Sequence, residues 1–359
     1  MMDIAARDAL ACRADDRLLV FAPHPDDESL ACGGLIYRAQ QMGADVHVVI
    51  ATNGDANPWP QRFTEKRWHL DADDARRWGQ MRAGEALAAL RILGVEKERV
   101  TFLQWPDQGL TARLVNNGQE SVATLQQSIQ LHQPTLVVGP SVHDSHPDHS
   151  ALALMLKAAL RAEGSTARKW SYWLHGRGAH AFDAAAALIL TPQERAAKRS
   201  AALSHLSQSK FGTSRLLRFV TTTERFLEPS IVNARVQSSW QWHFRSARQF
   251  GPLFARWLRV VAINDNGTLQ SKSLDLRAVD PSVEIERSGT RGLTIRMQPQ
   301  WKEAAWVVAK VDTAHRLDVY DPFGWTPCDN LANDHSSDGA PVMRARASDV
   351  AEPEAGTAV

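Results

Sequence analysis

A doubly wound α/β architecture, with a mostly parallel sheet and helices on both of its faces, is what this sequence of 359 residues predicts. Three observations carry that reading. Short β-branched runs alternate with stretches of helical periodicity from residue 17 to about residue 206. The runs 17–23 and 45–52 flank a helical stretch, a β-α-β unit whose strands are parallel and whose crossover is right-handed. Beyond about residue 260 the texture changes to short alternating segments separated by turn residues, which predicts a small β-rich C-terminal extension.

Residues 17–23 (RLLVFAP) read as the first strand. The helix expected over 29–43 sets Leu30, Leu35 and Ile36 on one side and stops at Gly43. Residues 45–52 (DVHVVIAT), stopped by Asn53-Gly54, form the second strand. A helix over 76–93 ends at Gly94, followed by a strand over 100–103, a helix over 122–131 and a strand over 135–139. The next helix starts near Ser150, residues 184–190 form a further element, and 192–206 form a helix with Pro192 in its first turn. Farther on, 283–287 (VEIER) and 293–297 (LTIRM) flank Ser-Gly-Thr-Arg-Gly as a hairpin, and a second hairpin is expected from 306–311 with 316–320. The resulting division is a lead over 1–16, a doubly wound domain over 17–235, a basic aromatic connector over 236–259, a β-rich domain over 260–325 and a tail over 326–359. Few large apolar residues occur in that tail, which predicts disorder.

Composition narrows the function classes. Hydrophobic residues at 44% suffice for a sizeable core and exclude a fibrous or wholly disordered chain. A formal charge of +1, from 41 Lys and Arg against 40 Asp and Glu, argues against a nucleic-acid coat protein, which needs unpaired cations to displace counterions. Apolar runs fall short of the roughly 18–20 residues that span a bilayer. The first residues lack a basic stretch followed by an apolar one, so a cytoplasmic location is expected. Cys12, Cys32 and Cys328 have no CxxC spacing, so a metal here takes His and carboxylate ligands.

Two segments hold such ligands: His24-Pro25-Asp26-Asp27-Glu28 after the first strand, and His143-Asp144-Ser145-His146-Pro147-Asp148-His149 after the strand over 135–139. Carboxyl ends of parallel strands share one edge of a doubly wound sheet, so these loops meet in the crevice where strand order reverses. Two imidazoles and a carboxylate, with a fourth position for water, make a catalytic rather than a structural zinc site. Of the adjacent Asp26 and Asp27, one can ligate while the other takes a proton from water as it attacks a carbonyl; spacing does not choose between them. The chemistry is metal-assisted amide or ester hydrolysis, with a non-ligating His of the later segment for the developing oxyanion.

The motifs Pro23-His24-Pro25-Asp26-Asp27-Glu28 and His146-Pro147-Asp148-His149 resemble the signatures of the LmbE-like, or PIG-L, de-N-acetylases. Thr52-Asn53-Gly54, Arg82 and Glu85 in an RxxE helix, and residues 198–208 (KRSAALSHLSQ) agree in the same order, so the resemblance spans 17–228. It implies a Rossmann-like three-layer α/β/α fold. It also implies that His24, Asp27 and His149 ligate Zn2+, with other divalent ions such as Fe2+ admitted, and that Asp26 is the general base. His146 would stabilise the tetrahedral intermediate and protonate the leaving amine, with Asp148 orienting it. The implied substrate is an N-acetylated amino sugar, usually N-acetylglucosamine on a lipid, inositol or small-thiol aglycone; the alternative within the same chemistry is an amidase acting on a thiol or other glycoconjugate.

Plainer readings stand beside these. Arg82 either reaches a substrate phosphate or hydroxyl or forms a surface ion pair with Glu85, and Glu28 reads as a helix N-terminal carboxylate. Cys32 reads as a buried inert thiol, and His47, His69, His175 and His180 as structural. Residues 240–260, with Trp240, Trp242, Phe254 and Trp257 among four arginines, read as a helix docking the extension or as a peripheral membrane contact. A non-catalytic sugar-binding protein on a retired hydrolase fold would have lost part of the ligand set, which is intact. An oxidoreductase would need GxGxxG where PHPDDES stands.

Overall fold

Alternation along the first strand decides how the layers form. In the computed structural model, Arg17–Ala22 (β1) is the central strand, and its residues point by turns to opposite faces. Leu18, Val20 and Ala22 join one core, while Leu19 and Phe21 join another on the far side. The structure describes residues 12–176, 184–228, 240–245, 255–278, 280, 283–288, 292–297, 304–313, 320–321 and 324–330.

Asp45–Thr52 (β2), Val100–Trp105 (β3), Leu136–Pro140 (β4) and Arg168–Tyr172 (β5) complete a parallel sheet of order β3-β2-β1-β4-β5. Strand order reverses between β1 and β4, where Leu18 lies opposite Leu136 and Val20 opposite Val138. Asp27–Gln41 (α1), Pro58–Glu65 (α2), Ala72–Ile92 (α3), Leu110–His132 (α4), Pro147–Ala162 (α5), Pro192–Ser204 (α6) and Leu206–Leu217 (α7) are the helices. Residues of α1, α3 and α6 pack on one face, and residues of α4 and α5 on the other. Ala186–Ile189 (β6) and Thr223–Phe226 (β7) form a separate antiparallel pair. The expected α/β/α layering is present. Among the described residues no helix is long and apolar enough to cross a membrane.

The extension contains Trp240–Arg245 (β8), Ala255–Asn264 (β9), Leu269–Asp275 (β10), Val283–Ser288 (β11), Gly292–Met297 (β12), Ala304–Thr313 (β13), Thr326–Pro327 (β14) and Asp329–Asn330 (β15). They form antiparallel sheets of order β10-β9-β13-β14 and β11-β12-β8-β15. The hairpin read from 283–297 is β11 and β12. One expectation needs correction. The connector over 240–260 is not a helix, because β8 and β9 occupy its ends; WQWHFR and the β-branched centre of ARWLRVVAIN suit strands that neighbours can pair. The strand containing 306–311 lies in β13 and pairs with β9, a ten-residue strand matched to a ten-residue partner; the hairpin expected with 316–320 falls mostly outside the described residues. Residues 316–319, most of the 326–359 tail and His180 lie outside the described residues.

One sheet of the extension is built onto the doubly wound part. Val261, Ile263, Leu269, Trp306, Val308 and Trp325 belong to the same buried cluster as Leu114, Leu125 and Met155 of α4 and α5. At the β9–β10 turn, Gly267 (φ 78°) comes so close to α5 that a Cβ would overlap the backbone of Ala158 and Ala162.

Candidate metal centre and active site

The loops after β1 and β4 emerge side by side at the switch point. The β1 loop is clamped to β2, as the Thr52 amide and hydroxyl both donate to the Pro23 carbonyl, at 3.0 and 2.9 Å. Asp26 stands at the N-cap position of α1 with φ 133° and ψ −29°, a conformation unusual for an L-residue, and its carboxylate lies 3.3 Å from Arg82 Nη2. After β4, Pro147 occupies the first turn of α5 and His146 caps it, its Nδ1 accepting from the Asp148 amide at 3.3 Å. That bond implies the Nε2–H tautomer for His146.

These loops bring the expected ligands together. Asp27 Oδ2 lies 3.1 Å from His24 Nδ1 and 3.1 Å from His149 Nε2. The ring centroids of His24 and His149 are 5.3 Å apart, and that of His146 is 4.6 Å from His24. His149 is fully buried; Asp144 Oδ2 stands 3.1 Å from its Nδ1, yet neither ring nitrogen makes an aligned hydrogen bond. Buried nitrogens at ion-pair distance from carboxylates, without satisfied hydrogen bonds, fit a donor set for a divalent cation. Among the described residues, three sets of donors have their ligand atoms within 4.8 Å of one another: His24, His146 and His149; Asp27, His149 and His175; His24, Asp107 and Asp148. The expected trio His24, Asp27 and His149 is not itself one of these sets, its members meeting pairwise through Asp27.

The electrostatics agree with that fit. Burial alone would favour neutral imidazoles, but the charges of Asp144 and Asp27 push His149 up to about 9. Burial likewise opposes ionisation of Asp27, yet His149 and His24 hold its carboxyl well below the usual range. Imidazoles drawn toward the charged form by neighbouring carboxylates mark a place where a cation can replace protons. Burial raises Asp26 to about 6 even though the Arg82 guanidinium pulls it down. His146 is pushed well below its ordinary value by burial and by the neighbouring His24 and His149.

Other residues occupy places that spacing did not show. Arg82 is neither a surface ion pair nor open to solvent: it is 7% exposed and donates to Gly54 O at 2.6 Å and Pro25 O at 2.7 Å, with Asp26 Oδ2 at 3.3 Å. Glu85 instead accepts from the amide and hydroxyl of Ser207. The carboxylate of Asp148 faces His24 Nε2 at 3.3 Å and accepts from the amides of Gln108 and Leu110, so it meets His146 through its backbone and not through its side chain. Glu28, in the first turn of α1, accepts from the Asp26 amide and the Ser29 hydroxyl. Cys32 is fully buried, and burial pushes its thiol well up, as an inert thiol requires.

Sequence reasoning missed Asp107 and His175, and it gave Asp144 of the second segment no role of its own. Asp107, after β3, places Oδ1 3.2 Å from His24 Nε2. Asp144 accepts from the amides of His146, Leu174 and His175, tying the β4 loop to the β5 loop. His175, set aside as structural, has its ring centroid 4.8 Å from that of His149, and burial lowers it to about 4. A signal existed for it, because His175 follows β5 at the same sheet edge, but that strand had not been read. Tyr320, from the extension, lies with its ring centroid 5.9 Å from that of His146.

Residues 19–160 match the PIG-L family, described as GlcNAc-PI de-N-acetylase. This part of the chain belongs to the PIG-L family. Among curated relatives, a 1D-myo-inositol 2-acetamido-2-deoxy-alpha-D-glucopyranoside deacetylase from Mycobacteroides abscessus is 35% identical over 172 residues, covering 44% of this chain and 59% of the relative. The Rhodococcus jostii protein of the same name is 34% identical over 167 residues, covering 42% of this chain and 56% of the relative. The chain thus spans somewhat more than half the length of these relatives. A solved N,N'-diacetylchitobiose deacetylase from Pyrococcus horikoshii aligns at 20% identity and TM-score 0.44, covering 58% of this chain and 82% of that one. The PIG-L match ends within α5, so β5, His175 and the whole extension lie beyond it.

Proposed function

We propose that this PIG-L protein hydrolyses the N-acetyl group of an N-acetylglucosamine-type sugar conjugate, with Zn2+ held by His24, Asp27 and His149 and with Asp26 as general base. The observation that carries this reading is the different partnering of two adjacent carboxylates: Asp27 Oδ2 lies between two imidazoles, while Asp26 Oδ2 faces the Arg82 guanidinium. When bound, zinc supplies a Lewis-acid charge and lowers the pKa of water towards about 7. The same donors suit Fe2+.

Asp26 accepts the proton of the attacking water, and burial keeps its carboxyl near the range a general base needs. His146, neutral and carrying its proton on Nε2, donates toward the carbonyl oxygen as charge develops there; as the C–N bond breaks it gives that proton to the leaving amine and takes up in return the proton that Asp26 removed from water. Asp148 steadies both halves of the site, His146 through its amide and His24 through its carboxylate. Arg82 serves the reaction by bracing Asp26 and the Pro25 and Gly54 carbonyls. The amino-sugar substrate rests on the family and on relatives named for a glucosaminyl-inositol; an amide on a thiol conjugate would be served by the same groups.

Incubating the metal-assayed full chain with a panel of N-acetylated sugar and thiol conjugates, and scoring free amine, tests the reading. Asp26→Asn is expected to retain the metal and lose about 10²–10⁴-fold in turnover. His149→Ala is expected to lose the metal. Full activity in Asp26→Asn overturns the mechanism.

A further inference from the structure

Among the described residues, the extension sends Tyr320 to the histidine cluster. Tyr320 lies with its ring centroid 5.9 Å from that of His146, nearly perpendicular to it at 84°, and 5.3 Å from that of His175. Its position is secured from three directions. The next residue, Asp321, donates its amide to the carbonyl of Ser145 at 2.7 Å, on the loop that carries His146. The Asp321 carboxylate accepts from Lys310 Nζ at 2.6 Å, and Lys310, on β13, is fully buried with Asp312 at 3.3 Å from the same nitrogen. A buried ammonium needs its carboxylate partners, so this attachment is not easily rearranged. Arg215 of α7 donates to Tyr320 Oη at 3.1 Å.

We propose that Tyr320 is a substrate-contacting residue, delivered by the extension to the leaving-group side of the site, where its hydroxyl donates to an oxygen of the amino sugar. The chemistry follows from the hydroxyl's partners. Because Oη accepts from the Arg215 guanidinium, its own proton is left to donate elsewhere. A ring beside His146, the donor assigned to the leaving amine, borders the sugar that bears that amine. Tyr320 is only partly buried, as a residue facing ligand would be, while its attachments at Asp321 are buried or nearly so. The assignment of side rests on the deacetylation reading; the presence of Tyr320 in the ligand site does not.

The chain has three tyrosines, Tyr37, Tyr172 and Tyr320, so 3-fluorotyrosine labelling of the full protein gives three 19F lines, and Tyr320→Phe identifies one of them. Adding N-acetylglucosamine to the zinc-loaded protein is expected to move the Tyr320 line and leave that of Tyr37 in place. With whichever conjugate is turned over, Tyr320→Phe is expected to lose about tenfold in kcat/KM at unchanged zinc content, the effect of one hydrogen bond. An unmoved Tyr320 line overturns the proposal whether or not the protein deacetylates, and so does full kcat/KM in Tyr320→Phe. If the line moves but no conjugate releases amine, the deacetylation reading fails and the place of Tyr320 in the site stands.

Discussion

Asp26 keeps an uncommon backbone conformation, and such strain typically costs about 1–3 kcal/mol, so something must hold it. Arg82 does, with hydrogen bonds to the Pro25 and Gly54 carbonyls, in the loops after β1 and β2, and a contact to the Asp26 carboxylate itself. Its guanidinium lowers the Asp26 pKa, so Arg82→Gln should raise it and move the acid limb of the kcat/KM profile to higher pH. An acid limb that stays in place would separate Arg82 from the base. Gly54 makes room for this arginine: it has φ 64°, and a Cβ would overlap the guanidinium. Gly54→Ala should therefore destabilise by more than about 1 kcal/mol, measurable as a lowered denaturant midpoint. The HPDDE and HPDH strings were readable because ligand-forming residues are dense in them and follow strand ends. Asp107 and His175 were not, since each is a single residue among ordinary neighbours and reaches the site only through its strand.

Elements, more than individual ligands, set the depth of the site. Asp144 joins two of them, because its carboxylate accepts amides from the starts of both the α5 cap and the segment after β5 while also facing His149. Asp144→Ala should weaken zinc binding about 10- to 100-fold, as loss of a ligand's supporting partner usually does, and competition with a chelator would measure it. Unchanged affinity would reduce Asp144 to a loop fastener. Helices were readable where apolar spacing was regular, as in α1, α3 and α6. β5 escaped notice because RKWSY has no β-branched residue, and α2 because Pro58 and Pro60 resemble loop punctuation. The pairing of β13 with β9 was not readable for a different reason: a strand's local pattern does not reveal which distant strand it pairs with.

Across the whole molecule, the extension and the doubly wound part share a buried cluster, with Trp306, Leu269 and Trp325 packed among residues of α4 and α5. Heating should therefore produce one cooperative transition and not two, which calorimetry would decide. Gly267→Val would press a side chain into the backbone of Ala158 and Ala162 and should lower Tm by several degrees, at a cost of about 1–3 kcal/mol. The sequence's change of texture revealed the extension but not its attachment, because the apolar faces that meet are far apart in the chain. The neighbouring positions of β1 and β4 have a kinetic side. Two hydrogen-bonded strands of a parallel sheet stay about 4.8 Å apart whatever occupies the crevice above them. The proposed ion would then settle into a ready seat, and its exchange would be limited by the breaking of its own bonds and by access through the rim, with no refolding of the protein on the way in or out.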